Sequence, residues 1–471
     1  MTGRNRRLKK RAGIRGLTKT WRIRITEPLK QNNGYLSPLV FVLGFAILIV
    51  LGTLLLILPI SSNIGEITPP EDALFSAASA VCVTGLIVQD TGTYWSLFGQ
   101  AVILILIQLG GLGFMTSATL LVLALGRRLG LREKLLIGES LGTPRLGGLI
   151  DLIKNIAVFT FASEAIGTLL FYFYFSSHTV LGLPLWESLF QSVSAFNNAG
   201  FDLFGNFSSL TESPHDVLLL LTTAALAILG GISYFVVADI FVKRRLSHFA
   251  LDTKIVLITT AALLLMGTAV ILITEFFNPL TLGGMEIYDK VLVSFFQSAT
   301  ARTSGFTAIN MLSVNHYCLF FIIVLMFIGG ASGSTAGGIK VNTFGILIAT
   351  LISSLRGKEY AGAFGREFVT QQIYRAIAVV ILSLGIITSG VFMLAIIEKF
   401  DFLDLFFETV SAFANVGLST GVTPNLSLIG KLLITVTMFV GRLGPLAMAL
   451  SLIGRQRPST FRYPQEAVRI G

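Results

Sequence analysis

The chain contains little charge and almost no cysteine or histidine. Aspartate, glutamate, lysine and arginine make up only 13% of its 471 residues, and there are two cysteines and four histidines. Soluble globular proteins carry about 25% charged residues, so the chain is not expected to divide into soluble domains. Cys82 and Cys318 provide no disulfide framework and no metal-binding spacing. The N-terminal segment also lacks the short apolar run and cleavage site of a signal peptide.

Long apolar runs are abundant, and 53% of the residues are hydrophobic. A transmembrane helix needs about 20 mostly apolar residues, whereas runs of about 10–14 are typical of re-entrant segments. Four runs have the shorter length: 72–82, 186–196, 288–300 and 402–413. Eight have the longer length: 36–58, 97–125, 151–175, 216–242, 253–275, 317–352, 373–397 and 428–453. These lengths predict an all-α membrane protein with eight transmembrane helices and four re-entrant helices.

Each short run ends in a similar peptide. The four peptides are FSAASAVCVTG (Phe75–Gly85), FQSVSAFNNAG (Phe190–Gly200), FFQSATARTSG (Phe295–Gly305) and FETVSAFANVG (Phe407–Gly417). An aromatic residue lies ten positions before each terminal glycine, and the glycines are 115, 105 and 112 residues apart. This period is too long for a solenoid repeat. It predicts four copies of a unit made of a span, a half-helix, a glycine loop and a second span.

The positive charges predict the orientation of the chain. Most of the 35 lysines and arginines lie in the two terminal tails and in three loops, near 126–154, 243–254 and 340–375. The positive-inside rule makes these segments cytoplasmic, so both termini are expected inside and the glycine loops on the outer side. The outer loops are acidic, which would raise the local cation concentration. The basic tail Arg4–Lys30 is expected to contact lipid or a cytosolic partner, or to act only as a topology signal.

The net charge of +10 is thus a membrane signature and does not predict nucleic-acid binding. Irregular glycine loops at membrane depth instead predict a water-filled path. A ring of backbone carbonyls can replace the hydration shell of a cation, and glycine tolerates the dihedral angles that such a ring requires. The loops contain no carboxylate, which argues against a filter for divalent cations. The alternative, that glycine only allows close helix packing, explains four such copies less well.

The layout resembles the Trk/Ktr/HKT superfamily of potassium transporters. The matching residues are VTGL (Val83–Leu86), NNAGF (Asn197–Phe201), RTSGF (Arg302–Phe306) and NVGLS (Asn415–Ser419). The resemblance extends from about residue 36 to 453, and it is closest to the Ktr-type membrane subunit because the first unit directly follows the basic tail. It implies a potassium-binding filter formed by Val83, Thr84, Gly85, Asn198, Ala199, Gly200, Thr303, Ser304, Gly305, Asn415, Val416 and Gly417.

The resemblance also implies selectivity and partners. In this family a serine at the first filter position is associated with sodium permeation, so Gly85 implies potassium selectivity. Further implications are sodium-stimulated transport, a homodimer in the membrane, and a cytosolic RCK (KtrA-like) regulatory ring that binds nucleotide. No cofactor is expected in this chain. Potassium is expected as the transported ion, and sodium as a coupling or activating ion. Arg302 is expected to point away from the axis toward an acidic partner.

The second span of each unit contains a glycine pair or a near relative, which in the third unit becomes GGASGSTAGGIK (Gly329–Lys340). Glycine at this density cannot hold a stable helix, so this span is predicted to unwind. It is not a nucleotide-binding P-loop, because Val341 stands where Ser or Thr is needed. The resemblance implies an intramembrane gate, with a packing kink as the alternative. The gate residues would be Gly329, Gly330, Ser332, Gly333, Ser334, Thr335, Gly337, Gly338 and Lys340, together with Arg442.

Two charged residues interrupt apolar spans. An arginine within a membrane is energetically costly and usually faces an interior pathway. Arg442 matches the positively charged residue that faces the gate in the resembled family. We predict that it repels cations in the cavity and holds the closed gate by hydrogen bonds. Glu164 is expected to pair with a basic or polar residue of a neighbouring span.

The sequence thus predicts a potassium uptake protein of the cell membrane, driven by the membrane potential, and not an enzyme. The alternatives are a sodium-permeable or weakly selective cation channel, a membrane-embedded enzyme, and a secondary transporter with inverted repeats. The enzyme would need a catalytic set that is not seen, and the common direction of the four units counts against inversion. The predicted divisions are a cytoplasmic tail at 1–35, repeats at 36–125, 126–242, 243–353 and 354–453, and a cytoplasmic tail at 454–471.

Overall fold

The computed structural model describes residues 37–113 and 149–444, with residues 116, 117, 119, 120 and 123 between them. The predicted tails and most of the loop near 126–154 lie outside this part of the chain. The helices are α1 (Ser37–Ile57), α2 (Pro70–Cys82), α3 (Leu97–Leu112), α4 (Leu149–Phe175), α5 (Pro184–Asn197), α6 (Val217–Gly231), α7 (Tyr234–Lys243), α8 (Leu251–Glu275), α9 (Ile287–Thr300), α10 (His316–Phe327), α11 (Val341–Leu355), α12 (Thr370–Ile397), α13 (Phe402–Ala414) and α14 (Leu428–Leu443). A two-stranded antiparallel hairpin, β1 (Gly362–Ala363) and β2 (Arg366–Glu367), follows α11.

The four short runs are helices, as predicted: α2, α5, α9 and α13, of 13 or 14 residues each. Every one has an acidic residue in its first turn, where a negative charge interacts favourably with the positive end of the helix dipole. These residues are Glu71 and Asp72, Glu187, Asp289, and Asp404. Two of them begin at a proline, Pro70 and Pro184, a residue suited to the first helical turn. Local sequence therefore defines where these helices start.

Within the described residues, three helices are long and apolar enough to cross a membrane, namely α4, α8 and α12. A fourth span is present if the bent pair α6 and α7 counts as one. Other apolar helices are shorter, including α3, α10 and α11. The eight-span count stays a prediction.

Two spans predicted as continuous are interrupted. The run 216–242 bends by 92° between α6 and α7, where Ile232 is extended and the Ser233 hydroxyl accepts from the Phe235 N–H at 3.3 Å. The run 97–125 breaks at Gly113, whose φ is 80°. Glycine followed by serine is a common cause of a sharp helix kink, so the first interruption has a visible local signal.

The predicted unwinding of the third unit is confirmed. α10 ends at Phe327 and α11 begins at Val341. The residues between them, 328–340, form a non-helical segment that we call the gate segment. It contains two left-handed glycines, Gly333 and Gly338, with φ of 76° and 66°. The glycine-rich sequence is the reason for the break, because glycine loses the most backbone entropy in a helix.

The helices that follow the glycine loops pack against the next short helix along the chain. α3 contacts α5, α6 contacts α9, and α10 contacts α13. The last of them, α14, returns to contact α2, so the succession closes on itself. This closure brings the C-terminal ends of the four short helices to one central region.

An aromatic side chain on each short helix is fully buried. Phe75, Phe190 and Phe407 lie ten residues before their glycines, as the sequence pattern predicts. In the third unit the fully buried aromatic is Phe296, whereas Phe295 is only partly buried. The fully buried aromatic of the third unit therefore lies one residue nearer to its glycine than in the other three units.

Candidate functional site

Each short helix leads into a loop with left-handed backbone at two positions. The first positions are Val83, Asn198, Thr303 and Asn415, with φ of 57°, 59°, 115° and 52°. The second positions are the terminal glycines Gly85, Gly200, Gly305 and Gly417, with φ of 89°, 70°, 75° and 95°. Side chains disfavour this region, and glycine does not. Alternation of positive and negative φ turns successive carbonyls to one side, as a carbonyl ring requires.

A serine six residues before the glycine closes three of these loops. The Ser79 carbonyl accepts from the Thr84 N–H at 2.8 Å, and its hydroxyl accepts from the Gly85 N–H at 3.1 Å. Ser411 makes the same two bonds in the fourth unit, at 2.9 and 3.1 Å. In the second unit the Ser194 carbonyl accepts at 2.8 Å. These bonds fix the left-handed turn without any side chain entering the central region.

The third loop is closed differently. The Thr300 carbonyl accepts from the N–H groups of Ser304 and Gly305, at 2.9 and 3.2 Å. The buried Arg302 guanidinium donates to the Gly329 carbonyl at 3.2 Å. The predicted acidic partner of Arg302 is therefore wrong among the described residues, since the observed acceptor is a gate-segment carbonyl.

The four terminal glycines lie beside one another in a closed ring. A Cβ atom placed on Gly85 would lie 2.9 Å from the Cα of Gly200 and 2.5 Å from the Ala199 carbonyl oxygen. A Cβ on Gly200 would lie 3.3 Å from the Cα of Gly305. On Gly305 it would lie 3.0 Å from the Cα of Gly417, and on Gly417 it would lie 3.0 Å from that of Gly85. Both backbone conformation and space therefore require glycine at these positions.

An open cavity of about 420 Å³ lies against this ring. Its lining includes the four terminal glycines and polar residues of the loops that follow them: Asp202, Ser209, Thr307, Ser419 and Asn425. Asp202 is half-buried, and its burial together with the Asp90 carboxylate raises the pKa of Asp202 to about 7. When ionised, this carboxylate places a negative charge at the entrance to the ring.

Other acidic side chains of the outer loops are engaged inside the protein. Asp72 accepts from the Lys431 ammonium at 2.7 Å. Glu187 accepts from three backbone N–H groups of the preceding loop, at 2.7 to 3.3 Å. Glu408 is 1% exposed and accepts from a threonine hydroxyl at 2.6 Å. Asp72 is thus paired with a positive charge, whereas Glu187 and Glu408 accept hydrogen bonds that hold outer loops together.

The gate segment packs against the residues that precede the terminal glycines, opposite the cavity. Its contacts there are Thr335 with Asn198, Gly329 with Thr303, and Gly337 with Asn415. It is held by two backbone bonds, from the Ala331 N–H to the Gly231 carbonyl at 2.9 Å and from the Thr335 N–H to the Gly230 carbonyl at 3.2 Å. The bend after α6 frees these two carbonyls, and the gate segment satisfies them.

The predicted contact between Arg442 and the gate segment is present. One guanidinium nitrogen donates to the Thr335 carbonyl and another to the Gly110 carbonyl, both at 2.5 Å. The Lys340 ammonium donates within the segment, to the Ala336 carbonyl at 2.5 Å. Two basic side chains therefore lie at the gate segment, and the Arg442 guanidinium contacts it directly.

Glu164 has a polar partner, as predicted. This carboxyl group is 4% exposed and accepts from the Asn197 amide at 3.0 Å. The same amide nitrogen lies 3.1 Å from the Gln108 side-chain oxygen. The pair joins α4 to the end of α5, so Glu164 contacts the support of the second loop and not the ring itself.

The glycines of the second spans allow close approach to the short helices. A Cβ on Gly110, Gly230 or Gly441 would lie 2.8, 2.9 or 2.8 Å from a carbonyl carbon, that of Val81, Phe196 or Phe413. Each of these carbonyls lies four residues before a terminal glycine. The packing alternative weighed for glycine therefore describes the second spans, whereas the loop glycines form the ring.

Sequence reasoning missed the role of two asparagine side chains. It assigned Asn198 and Asn415 to the filter through their backbone alone. The Asn415 amide donates to the Thr84 hydroxyl at 2.9 Å and to the Met438 carbonyl at 3.0 Å. It thereby joins the fourth loop to the first. The sequence did contain a signal for these roles. Both asparagines lie at positions with left-handed backbone, which asparagine tolerates better than most other residues with side chains.

These features define a multi-pass helical membrane protein whose four glycine loops meet in one ring. The chain matches the family model described as "TrkH: Cation transport protein" over residues 44–460. It belongs to this family of cation transport proteins. The predicted resemblance to the Trk/Ktr superfamily is therefore confirmed.

Named relatives match almost the whole chain. The Ktr system potassium uptake protein B of Bacillus subtilis (strain 168) is 42% identical over 93% of this chain and 97% of its own length. The protein of the same name from Vibrio alginolyticus is 40% identical over 92% and 95%. The potassium/sodium uptake protein NtpJ of Enterococcus hirae is 37% identical over 94% and 99%. The crystal structure of the potassium transporter TrkH from Vibrio parahaemolyticus has the same fold, with a TM-score of 0.70, 17% identity, and coverage of 90% and 86%.

Proposed function

We propose that the protein takes up potassium across the cell membrane through a selectivity filter formed by the four glycine loops. The observation that carries this proposal is the closed ring of Gly85, Gly200, Gly305 and Gly417, each with left-handed backbone. Relatives named as potassium uptake proteins match almost the whole chain. The twelve residues predicted for the filter all belong to the loops that form this ring.

In this proposal potassium enters the cavity beside Asp202 and sheds its water in the ring. Backbone carbonyls replace the hydration shell, and the C-terminal ends of the four short helices add a partly negative potential. The ion then meets the gate segment and the positive charge of Arg442. The membrane potential supplies about 2.3 kcal/mol per charge per 100 mV, which is enough to drive accumulation.

The finer arrangement is part of the same proposal. Four repeats at 36–125, 126–242, 243–353 and 354–453 would surround the ring, with eight spans, four pore helices, and both termini in the cytoplasm. The closed succession of helix contacts from α3 to α14 supports this arrangement. Sodium stimulation, a membrane homodimer and control by a cytosolic nucleotide-binding ring are proposed from the family alone.

A sodium-permeable pathway is the second candidate, favoured by one relative that is named a potassium/sodium uptake protein. Rubidium and sodium uptake into membrane vesicles distinguishes the two functions. We expect saturable rubidium uptake that rescues growth of a potassium-uptake-deficient bacterium at low potassium. Equal permeation of sodium and rubidium would reject potassium selectivity in favour of the second candidate.

A further inference from the structure

We infer that the Asn198 side chain couples the gate segment to the filter, so that the position of the gate segment sets the potassium affinity of the ring. This inference rests on the proposed function. It concerns a contact between two side chains, Asn198 and Thr335, whose residues the sequence placed separately in the filter and the gate.

Asn198 is a buried link between three structures. It lies two residues before Gly200, caps α5 in left-handed backbone, and is only 2% exposed. In the amide orientation that satisfies both ends, its nitrogen donates to the Ala227 carbonyl at 3.1 Å. Its oxygen then accepts from the Thr335 hydroxyl at 2.8 Å and from the Gly231 N–H at 3.2 Å. The second filter loop is thus bonded both to its own span and to the gate segment.

Thr335 is the residue at which the gate segment is held most fully. Its N–H donates to the Gly230 carbonyl at 3.2 Å, and its carbonyl accepts from Arg442 at 2.5 Å. Its hydroxyl is the group that reaches Asn198. Any displacement that breaks the first two bonds also removes the hydroxyl from the amide, because all three groups belong to one residue.

The third loop also reaches the gate segment, through Arg302 and the Gly329 carbonyl, but the side-chain amide link is particular to the second loop, as the fourth loop shows. Asn415 occupies the same position relative to its glycine, and its amide donates to the Met438 carbonyl at 3.0 Å, as Asn198 donates to Ala227. Its second hydrogen bond goes to another filter loop, at the Thr84 hydroxyl. The equivalent residues of the first and third loops, Val83 and Thr303, have no amide.

The coupling must act in both directions. If the gate segment in its observed position stabilises the potassium-binding shape of the ring, then bound potassium stabilises that position by the same factor. A buried hydrogen bond contributes about 1 kcal/mol net, which corresponds to about a fivefold change in affinity. The observed position is therefore expected to be the one in which the ring binds potassium more tightly.

The test compares three variants of the purified full-length protein. Thr335→Val removes the hydroxyl and keeps the shape, and Thr335→Ser retains the hydroxyl. Thr223→Val is the matched control, because this fully buried hydroxyl donates only within its own helix, to the Leu219 carbonyl at 2.8 Å. Potassium affinity is measured by titration calorimetry with sodium as the replacing ion, and hydrogen exchange is followed at residues 331–338.

We expect Thr335→Val to lower potassium affinity about fivefold, with Thr335→Ser and Thr223→Val close to the unmodified protein. We also expect potassium to slow exchange at 331–338 in the unmodified protein and not in Thr335→Val. Unchanged affinity in Thr335→Val, or an equal loss in Thr223→Val, would overturn the coupling while leaving potassium uptake intact. If the unmodified protein neither binds potassium nor takes up rubidium, the proposed function fails and the coupling fails with it.

Discussion

Gly85 lies where there is no space for a side chain and where the backbone conformation is unfavourable for residues other than glycine. The residue has a φ of 89°, and a Cβ would lie 2.5 Å from the Ala199 carbonyl oxygen. Carbonyl positions decide which cation fits a ring of peptide oxygens. A substitution of Gly85 should therefore change ion selectivity more than it changes the fold.

The first prediction is that Gly85→Ser lowers the rubidium-to-sodium uptake ratio at least about tenfold, since a shift of one loop by a few tenths of an ångström displaces its neighbour's carbonyl. Uptake into vesicles measures the ratio. Gly65→Ala is the matched control, because Gly65 also has a positive φ of 75° but nothing within 4 Å of its Cβ position. An unchanged ratio in Gly85→Ser would refute the filter assignment.

The second prediction concerns external pH. Burial and Asp90 raise the pKa of Asp202 from 3.8 to about 7, so the charge that attracts a cation appears only as pH rises through 7. Rubidium uptake at limiting concentration should increase from external pH 6 to 8 in the unmodified protein. Asp202→Asn should flatten this rise, whereas Glu212→Gln, at an exposed outer carboxylate, should retain it. A preserved rise in Asp202→Asn would show that another group controls it.

The raised pKa of Asp202 also makes the stability of the folded protein depend on pH. A carboxyl group with a raised pKa binds its proton more tightly in the folded protein than in the unfolded chain. Its stabilising contribution is complete below about pH 4 and is lost as pH rises through about 7. Relative to the unmodified protein, Asp202→Asn should therefore raise thermal stability more at pH 8 than at pH 4. Thermal unfolding of the detergent-solubilised proteins measures this difference.

At the scale of elements, the gate segment is held by hydrogen bonds within its own unit and also by groups from two other units. The bend after α6 offers it two carbonyls, and α14 supplies Arg442. A break in one helix thus becomes a stable segment only because two other units complete its hydrogen bonds. Residues that supply those bonds should control how easily the segment moves.

The third prediction is that Arg442→Ala raises basal ion flux by more than about tenfold. It removes hydrogen bonds to the Thr335 and Gly110 carbonyls, and bonds to charged groups contribute about 1.5–3 kcal/mol each. It also removes a positive charge from the pathway. Efflux of rubidium from proteoliposomes without any regulatory partner measures the effect. Arg356→Ala, at an exposed arginine, is the control, and unchanged or reduced flux in Arg442→Ala would contradict this role.

At the scale of the whole molecule, the last helix must return to the first unit. The Lys431 ammonium on α14 lies 2.7 Å from the Asp72 carboxylate on α2, and the two side chains are 16% and 7% exposed. A buried ion pair contributes little compared with an apolar pair, but removing one partner leaves an uncompensated charge. The join between the fourth and first units is therefore sensitive to single substitutions.

The fourth prediction is that Lys431→Met destabilises the protein by about 3 kcal/mol, whereas the double variant with Asp72→Asn recovers part of the loss. Thermal unfolding in detergent of the unmodified protein, Lys431→Met, Asp72→Asn and the double variant measures the double-mutant cycle. Lys243→Met is the control, since Lys243 in the Asp239–Lys243 pair is 37% exposed and an ion pair with an exposed partner should contribute less. Equal effects of Lys431→Met and Lys243→Met would show that the join does not depend on this pair.

The elements whose causes are local could be predicted from neighbouring residues alone. Apolar length, first-turn proline and acidic residues define the short helices, and dense glycine between Gly329 and Gly338 breaks the span after Phe327. These features depend on backbone entropy and local hydrogen bonds, which neighbouring residues decide. The family resemblance in the four loops was equally visible, because the terminal position of each loop combines left-handed backbone with no room for a side chain, and only glycine fits both.

The contacts between groups on different units could not be predicted in the same way and became visible in the folded chain. It gave Arg302 a carbonyl partner in place of an acidic one, engaged Asp72, Glu187 and Glu408 inside the protein, and placed Thr335 against Asn198. It also set the alignment of the third unit on Phe296. The physical reason is that such partners lie on different units, and their distances depend on how helices close around the ring and not on spacing along the chain.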